Sequence, residues 1–121
     1  MITINYRDPR PIYEQVRDGF RALILSGALP SGYKMPSVRE LAATLAINPN
    51  TIQRAYRELE GEGYIASVPG KGSFVSPSEA AVKQHISELE NKLSALAEEL
   101  KSLGIGEDEL VKIIKKGRDA K

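Results

Sequence analysis

The chain of 121 residues contains no cysteine and a single histidine, His85. Without cysteine it has no disulfide, no thiol nucleophile and no cysteine-ligated zinc site. One histidine also excludes a metal centre built from several histidines of one chain. No apolar run approaches the roughly 20 residues that span a bilayer, and the first ten residues lack the apolar core of a signal peptide. The composition therefore predicts a soluble cytoplasmic protein without metal or cofactor, and it argues against an enzyme.

A large excess of one charge is also lacking, because 17 Lys/Arg and 16 Asp/Glu residues give a net charge of +1. The distribution is more informative. Residues 1–76 hold nine basic and seven acidic residues, and seven of those nine bases are arginine. Residues 77–121 hold eight basic and nine acidic residues, and seven of those eight bases are lysine. Because the arginine fork suits phosphates and guanine edges, whereas lysine in a glutamate-rich helix is typical of a solvated surface, the binding surface is expected in the first part.

Helix signals dominate residues 11–62. An apolar face predicts helix one at about residues 11–26, after an alternating segment at residues 2–6 that reads as a short strand. Ser37 and Glu40 form a capping-box pattern that begins helix two. A few residues after helix two ends, Asn48 and Pro49 fit the N-cap and first position of helix three, and Gly63 is expected to end that helix. Two short helices joined by a tight turn predict a helix-turn-helix.

A hairpin and two further helices complete the expected fold. Residues 64–68 and 73–75 read as strands joined by a Pro-Gly-Lys-Gly turn, which is the wing of a winged helix-turn-helix. Residues 79–103 predict a long helix, and about residues 107–116 a short last one. The fold is expected to be mainly α with a small β-hairpin wing. A winged helix-turn-helix DNA-binding domain would occupy residues 1–76, and a two-helix dimerisation region residues 77–121.

Polar side chains off the buried stripe of helix three are the first candidates for function. A recognition helix presents such residues near its N-terminus to base edges in the major groove, where amides pair with adenine and arginine with guanine. Arg39 in helix two would clamp a phosphate or a base edge. The Gly-Lys-Gly wing tip would let the backbone approach phosphates or the minor groove closely. The predicted DNA-binding set comprises Ser37, Arg39, Asn48, Asn50, Thr51, Gln53, Arg54, Arg57, Gly70, Lys71 and Gly72.

Each of these signals has an ordinary structural alternative. Polar residues along helix three would also suit a solvated amphipathic helix. Arg39 would equally pair with a nearby glutamate, and a Gly-x-Gly turn is plain hairpin closure. The joint occurrence of a capped helix, a short turn and a hairpin favours the DNA interface over these alternatives.

Apolar residues recur at steps of four and three along the long helix, from Val82 to Leu103. This a/d pattern, sustained over about three heptads, is typical of a helix that pairs with another helix. Two chains pairing along the seam is one interpretation, and a helix folding back on its own domain or on the last helix is the other. Pairing is favoured because DNA readers commonly bind paired half-sites. The predicted dimerisation residues are Ile86, Leu89, Leu93, Leu96, Leu100, Leu103, Leu110, Ile113 and Ile114.

The chain resembles the GntR family of bacterial transcription regulators over about residues 10–76, through the motifs PIYEQV, LPSGYKMPSVRELA, TIQRAYRELEGEGYI and GKGSFV. The phrase INPNTIQRAYRELE and the short C-terminal part are similar to the YtrA subfamily. The resemblance implies a dimeric repressor that binds an inverted-repeat operator, often near genes for ABC-type transporters. Arg39 matches the DNA-contacting arginine of the family, and Gly70 the wing-tip glycine. Pro49 and Gln53 depart from the family pattern, because many members have arginine at both positions.

The sequence thus predicts a homodimeric, sequence-specific DNA-binding transcription regulator that represses an operon, with helix three in the major groove. The expected partners are double-stranded DNA carrying an inverted-repeat operator and a second copy of the chain. A small-molecule effector would act on the geometry of the dimer, but no residue identifies one. A winged-helix protein–protein adaptor without sequence-specific DNA binding is the alternative.

Overall fold

The computed structural model describes residues 2–119, and its contacts divide the chain into two units, Met1–Val82 and Lys83–Lys121. The elements follow in the order α1 (Ile12–Leu25), α2 (Val38–Leu45), α3 (Pro49–Gly61), β1 (Ile65–Val68), β2 (Gly72–Val75), α4 (Glu79–Ser102) and α5 (Glu107–Asp119). The predicted fold class is confirmed: a winged helix-turn-helix is followed by a helical C-terminal region.

The core of the first unit lies between α1, α3 and the hairpin. Its most deeply buried side chains are Val16, Phe20, Ile52, Leu59 and Val75. The Phe20 and Tyr56 rings meet edge to face, with centroids 5.9 Å apart and planes at 84°, an arrangement favoured by the ring quadrupoles. The buried stripe predicted for α3 is therefore the surface that fixes this helix against α1.

Local capping sets the helix-turn-helix. The Ser37 hydroxyl accepts the Glu40 backbone N–H at 3.1 Å, and the Glu40 carboxylate accepts the Ser37 N–H at 3.2 Å, so the capping box is complete. The chain leaves α2 through Ala46 in the left-handed region at φ 54°. Asn48 then caps α3, with Pro49 at its first position. Both N-caps, Ser37 and Asn48, are the residues that the sequence predicted.

The wing is an antiparallel pair in which Ile65 faces Val75 and Val68 faces Gly72. Lys71 N–H donates to Val68 O at 2.9 Å across Pro69 and Gly70, and Gly70 has φ 76°. Proline followed by a positive-φ glycine is the signature of a type II turn. The segment 32–35 runs along the other edge of β2 and holds the wing against the rest of the unit.

The strand predicted at residues 2–6 is wrong. This segment pairs with no strand among the described residues, because the buried side chain of Gln15 takes the place of a partner. Its Oε1 accepts the Asn5 N–H at 2.9 Å, and its Nε2 donates to Asn5 O at 3.0 Å. The alternating pattern still has a structural basis, since Ile2 and Ile4 pack against the core.

The second unit consists of the rest of α4 together with α5. The division between the two units lies after Val82, and Ala81 in the first turn of α4 is buried with the core of the first unit. The Ser78 hydroxyl accepts the Ala81 N–H, at 3.0 Å. Beyond this turn the apolar seam is largely open to solvent: Ile86, Leu89, Leu93, Leu96, Leu103, Ile113 and Ile114 are each at least 49% exposed, whereas Leu100 and Leu110 are half-buried.

Candidate nucleic-acid interface

One edge of α3 is left open to solvent. Asn50, Gln53 and Arg57 are exposed, and their spacing of three and four residues places them on one side of the helix. The opposite side carries the buried stripe that includes Ile52 and Leu59. Thr51 is half-buried. The polar edge is therefore available to a partner, as a recognition helix requires.

Two adjoining surface grooves bring this edge together with the wing. The first is lined by Gln53, Arg57 and Glu60 of α3 and by Val68, Pro69 and Gly70 of the wing. The second lies between the start of α2 and the wing, and its lining includes Lys34, Ser37, Glu40, Gly70, Lys71 and Gly72. Six of the predicted DNA-binding residues therefore line these two grooves: Ser37, Gln53, Arg57, Gly70, Lys71 and Gly72.

Two members of the predicted set have a structural task as well. The oxygen of Ser37 is engaged in the capping box, and the hydrogen bonds from Ser37 hold the pKa of the Glu40 carboxyl below its usual value. The Asn48 Oδ1 accepts the Asn50 N–H at 2.8 Å. Helix capping alone accounts for these residue types. The Asn48 amide N–H groups remain to be donated to a ligand.

Arg54 lies against α1 instead of standing free on the open edge. Its guanidinium carbon is 3.7 Å from the centroid of the Tyr13 ring, and its Nη2 donates to the Tyr13 hydroxyl at 3.1 Å. Its Nε is 3.4 Å from a carboxylate oxygen of Glu58. The side chain is still 56% exposed. Its guanidinium can therefore contact a phosphate while it holds α3 against Tyr13 of α1.

Ion pairs sort the basic residues into two groups. Arg10, Arg17 and Arg21 are paired with acids, and the strongest link joins α1 to α3, with Arg17 Nη1 2.6 Å from Glu58 Oε1. Hydrogen bonds to Glu58 and Asp18 outweigh burial and raise the pKa of Arg17. By contrast, Lys34, Arg39, Arg57 and Lys71 have no ion pair with any described residue. The alternative of an Arg39–glutamate pair is therefore not realised in this part of the chain.

The positive end of α3 is also uncompensated. Among the five helices of residues 2–119, α3 alone has no acidic residue in its first turn. Because a helix N-terminus carries a partial positive charge, the leading edge of α3 keeps its attraction for anions. This feature is readable from the sequence once the helix boundary is known.

Lys34 is a groove residue that sequence reasoning missed. It lies in the segment between α1 and α2, within the motif LPSGYKMPSVRELA, in which the sequence assigned a role only to Ser37 and Arg39. Its position beside Lys71 depends on the pairing of residues 32–35 with β2. No local sequence pattern predicts that pairing. Among residues 2–119, no group of histidine, cysteine, aspartate or glutamate side chains could hold a metal ion, and none of the helices could span a bilayer.

Comparison with known proteins identifies the regulators that share this architecture. The model of the family "Bacterial regulatory proteins, gntR family" matches residues 12–75. The chain is 41% identical to the HTH-type transcriptional repressor YtrA of Bacillus subtilis, over 85% of this chain and 75% of that protein.

Three solved structures are also similar. A GntR family transcriptional regulator from Listeria monocytogenes has 35% identity and a TM-score of 0.70, covering 90% of this chain and 96% of its own. YtrA from Sulfolobus acidocaldarius has 35% identity and a TM-score of 0.60, covering 77% and 97%. The DNA-binding domain of AraR in complex with operator ORR3 has 28% identity and a TM-score of 0.54, covering 61% and 89%. The chain therefore belongs to the GntR family of transcriptional regulators, and within it to the YtrA-like subfamily.

Proposed function

We propose that this protein is a homodimeric, sequence-specific transcription repressor that binds an inverted-repeat operator in the bacterial cytoplasm. One observation carries the proposal: the open polar edge of α3 adjoins the wing, and the grooves at this place are lined by Lys34, Arg57 and Lys71, which have no ion pair with any described residue. Similarity to a repressor of Bacillus subtilis and to a DNA-binding domain in complex with an operator supports both the activity and the ligand.

The roles of the interface residues follow from their places. Asn50 and Gln53 point amide groups outward from α3 and are the candidates for reading bases in the major groove. Arg57, one turn farther along α3, and Arg39 on α2 supply charge for phosphates or guanine. Lys71 at the wing tip meets the adjacent backbone or minor groove. Arg54, braced on Tyr13, is assigned to a phosphate rather than to a base.

The homodimer is supported by the apolar seam of the second unit. A row of leucine and isoleucine side chains in water is unfavourable, because each gains about 1.5–3 kcal/mol on full burial. The a/d spacing suits burial against a second helix, and a second copy of the chain supplies one with the same pattern. Pairing of residues 83–119 would set the distance between the two recognition helices and hence the spacing of the operator half-sites.

The regulated genes follow from subfamily resemblance alone, and we propose an operon that encodes a transporter. An effector would act by shifting the dimer between two geometries. No residue of the second unit singles out its chemistry.

Selection of bound sequences from random duplex DNA, read by sequencing, tests the function directly. We expect an inverted repeat, and affinity for the selected duplex should fall steeply as salt rises. Arg39→Ala and Gln53→Ala should each weaken binding by at least about 30-fold, because a contact worth about 1–3 kcal/mol is lost in both copies of the dimer. Lys112→Ala, an exposed lysine of α5, is the control and should bind like the wild type.

The same selection separates the proposal from the adaptor alternative. A chain that shows no preference among duplex sequences at about 150 mM salt, close to physiological ionic strength, would be an adaptor rather than an operator-binding regulator. If operator affinity survives in both variants while the wild type binds specifically, the assigned surface is wrong although the function stands.

A further inference from the structure

We propose that Lys34 is a backbone-phosphate-binding residue, which works beside the wing together with Lys71. The inference rests on the proposed function and deepens it, because it adds to the DNA interface a residue that lies outside the helix-turn-helix and outside the wing.

Backbone hydrogen bonds fix Lys34 beside the wing. Gly32 N–H donates to Val75 O at 2.7 Å, Val75 N–H donates to Tyr33 O at 2.9 Å, and Met35 N–H donates to Ser73 O at 2.8 Å. Lys34 itself is paired with Phe74 in an antiparallel bridge. The segment thus behaves as a short third strand, and the position of Lys34 is set by the strand ladder rather than by a loose loop.

The alternation of this short strand turns Lys34 outward. Met35 is buried and Tyr33 is half-buried, whereas Lys34 is exposed, as the two-residue period of a strand requires. Gly72 lies two residues before Phe74 and so shares its face, diagonally opposite Lys34. A Cβ atom added at Gly72 would lie 3.2 Å from Lys34 Cε. The lysine stem therefore crosses the wing at a point where the wing has no side chain.

The ammonium group of Lys34 has no competing anion in contact. No described carboxylate lies within ion-pair distance of it. Glu40 is the acid that shares its groove, and the carboxylate of Glu40 is engaged by the Ser37 N–H. The groove also holds Lys71. The charge of Lys34 helps to lower the pKa of the Glu40 carboxyl, but the two groups form no ion pair. Two like charges in one groove, neither of them in an ion pair with a described acid, suit the phosphate backbone, whose charges dominate the affinity of DNA-binding proteins.

The experiment compares full-length Lys34→Gln, Lys71→Gln and the double variant with the wild type. Binding to the selected duplex and to a random duplex of equal length is measured from 50 to 200 mM salt. Each phosphate contact contributes about 0.9 to the slope of log affinity against log salt. Because the proposed dimer carries each lysine twice, we expect Lys34→Gln to lower the slope by about 1.8 and the double variant by about 3.6, on both duplexes. The ratio of wild-type affinity to Lys34→Gln affinity should therefore shrink about 12-fold across this salt range.

Two further variants and a stability measurement keep the outcome clear. Lys34→Arg should restore the slope, because it keeps the charge, and Lys112→Gln should leave the slope unchanged. Thermal unfolding of each variant shows that the fold is intact. A double variant with the same slope as Lys71→Gln alone would overturn the role of Lys34. A wild type whose binding hardly depends on salt would instead overturn the proposed function, so the two failures are distinguishable.

Discussion

The central guanidinium carbon of Arg54 lies 3.7 Å from the centroid of the Tyr13 ring, and the guanidinium also donates to the Tyr13 hydroxyl at 3.1 Å. Tyr13 belongs to α1 and Arg54 to α3, 41 positions farther along the chain. The contact ties the solvent-facing part of the recognition helix to the helix behind it. It also explains why an arginine that looks available in the sequence has a partner in the fold.

A double-mutant cycle should detect this contact in the free protein. We expect Tyr13→Ala and Arg54→Ala to be coupled by about 0.5–1 kcal/mol in the free energy of unfolding, the size of an exposed cation–π pair. Urea unfolding of the two single variants and of the double variant gives the coupling. Arg57→Ala is the matched control, because Arg57 has no ring contact or ion pair with Tyr13. Equal coupling for both arginines would contradict the prediction.

Glu58 should make the stability of the fold depend on pH at the acid end. The hydrogen bond from Arg17 holds the pKa of the Glu58 carboxyl below its usual value, whereas in the unfolded chain the pKa returns to about 4.3. The stabilisation is therefore fully present above the unfolded pKa, and it is lost as the pH falls through the lower, folded pKa. The advantage of the wild type over Glu58→Gln in urea unfolding should shrink between pH 7 and about pH 3.

A control for this pH effect is Glu88→Gln. Glu88 is exposed on α4 and has no hydrogen bond or ion pair with any described residue. A stability difference between the wild type and Glu58→Gln that stays constant over this pH range would show that the Arg17–Glu58 pair does not titrate as inferred.

The hydrogen bond of the Tyr56 hydroxyl should contribute measurably to the free energy of unfolding. The hydroxyl donates to Pro36 O at 2.7 Å from a residue that is only 5% exposed, and burial raises the pKa of the phenol. Tyr56→Phe leaves that carbonyl without its partner, so we expect a loss of about 0.5–1.5 kcal/mol in the free energy of unfolding. Tyr6→Phe, at a side chain that is 71% exposed, should change little. Equal losses in both variants would contradict the assignment.

Leu93 tests the dimer. Sedimentation velocity should show a dimer for the wild type and a monomer for Leu93→Glu at micromolar concentration. Burying one leucine per chain at about 1.5 kcal/mol makes the loss about 3 kcal/mol per dimer, or more than 100-fold in the dissociation constant. Ser94→Glu adds the same charge at the next exposed position and should remain dimeric. A wild type that sediments as a monomer would refute the proposed assembly.

Most of the fold could be predicted because its signals are local. The capping box at Ser37 and the cap at Asn48 involve residues two or three positions apart. The buried stripe of α3 repeats every turn. Interactions between residues so close in the chain can be recognised from a short stretch of sequence. The helix starts and the hairpin therefore lie within one or two residues of the expected positions.

The features that sequence reasoning missed are long-range pairings. Residues 2–5 alternate like a strand, but whether a strand forms depends on a partner, and Gln15 takes that place. Lys34 joins the interface only through β2, and Arg54 is drawn toward α1 by a tyrosine far away in the sequence. In each case the sequence shows the charge or polarity of the side chain, but it does not show which residue the side chain contacts in the fold. The DNA contacts and the dimer seam stay predictions, to be decided by the experiments above.

The first turn of α3 contains no acid, and this has a consequence for engineering the protein. A change such as Asn50→Asp would complement the helix dipole and gain about 0.3–1 kcal/mol of helix stability. Under the proposed function the same carboxylate would stand at the edge of α3 that reads bases in the major groove, and the negative charge of the duplex would repel it. Directed evolution for heat resistance alone would therefore favour a well-folded protein that binds the proposed operator less tightly, because the stability of α3 and its proposed DNA binding place opposite demands on the charge of its first turn.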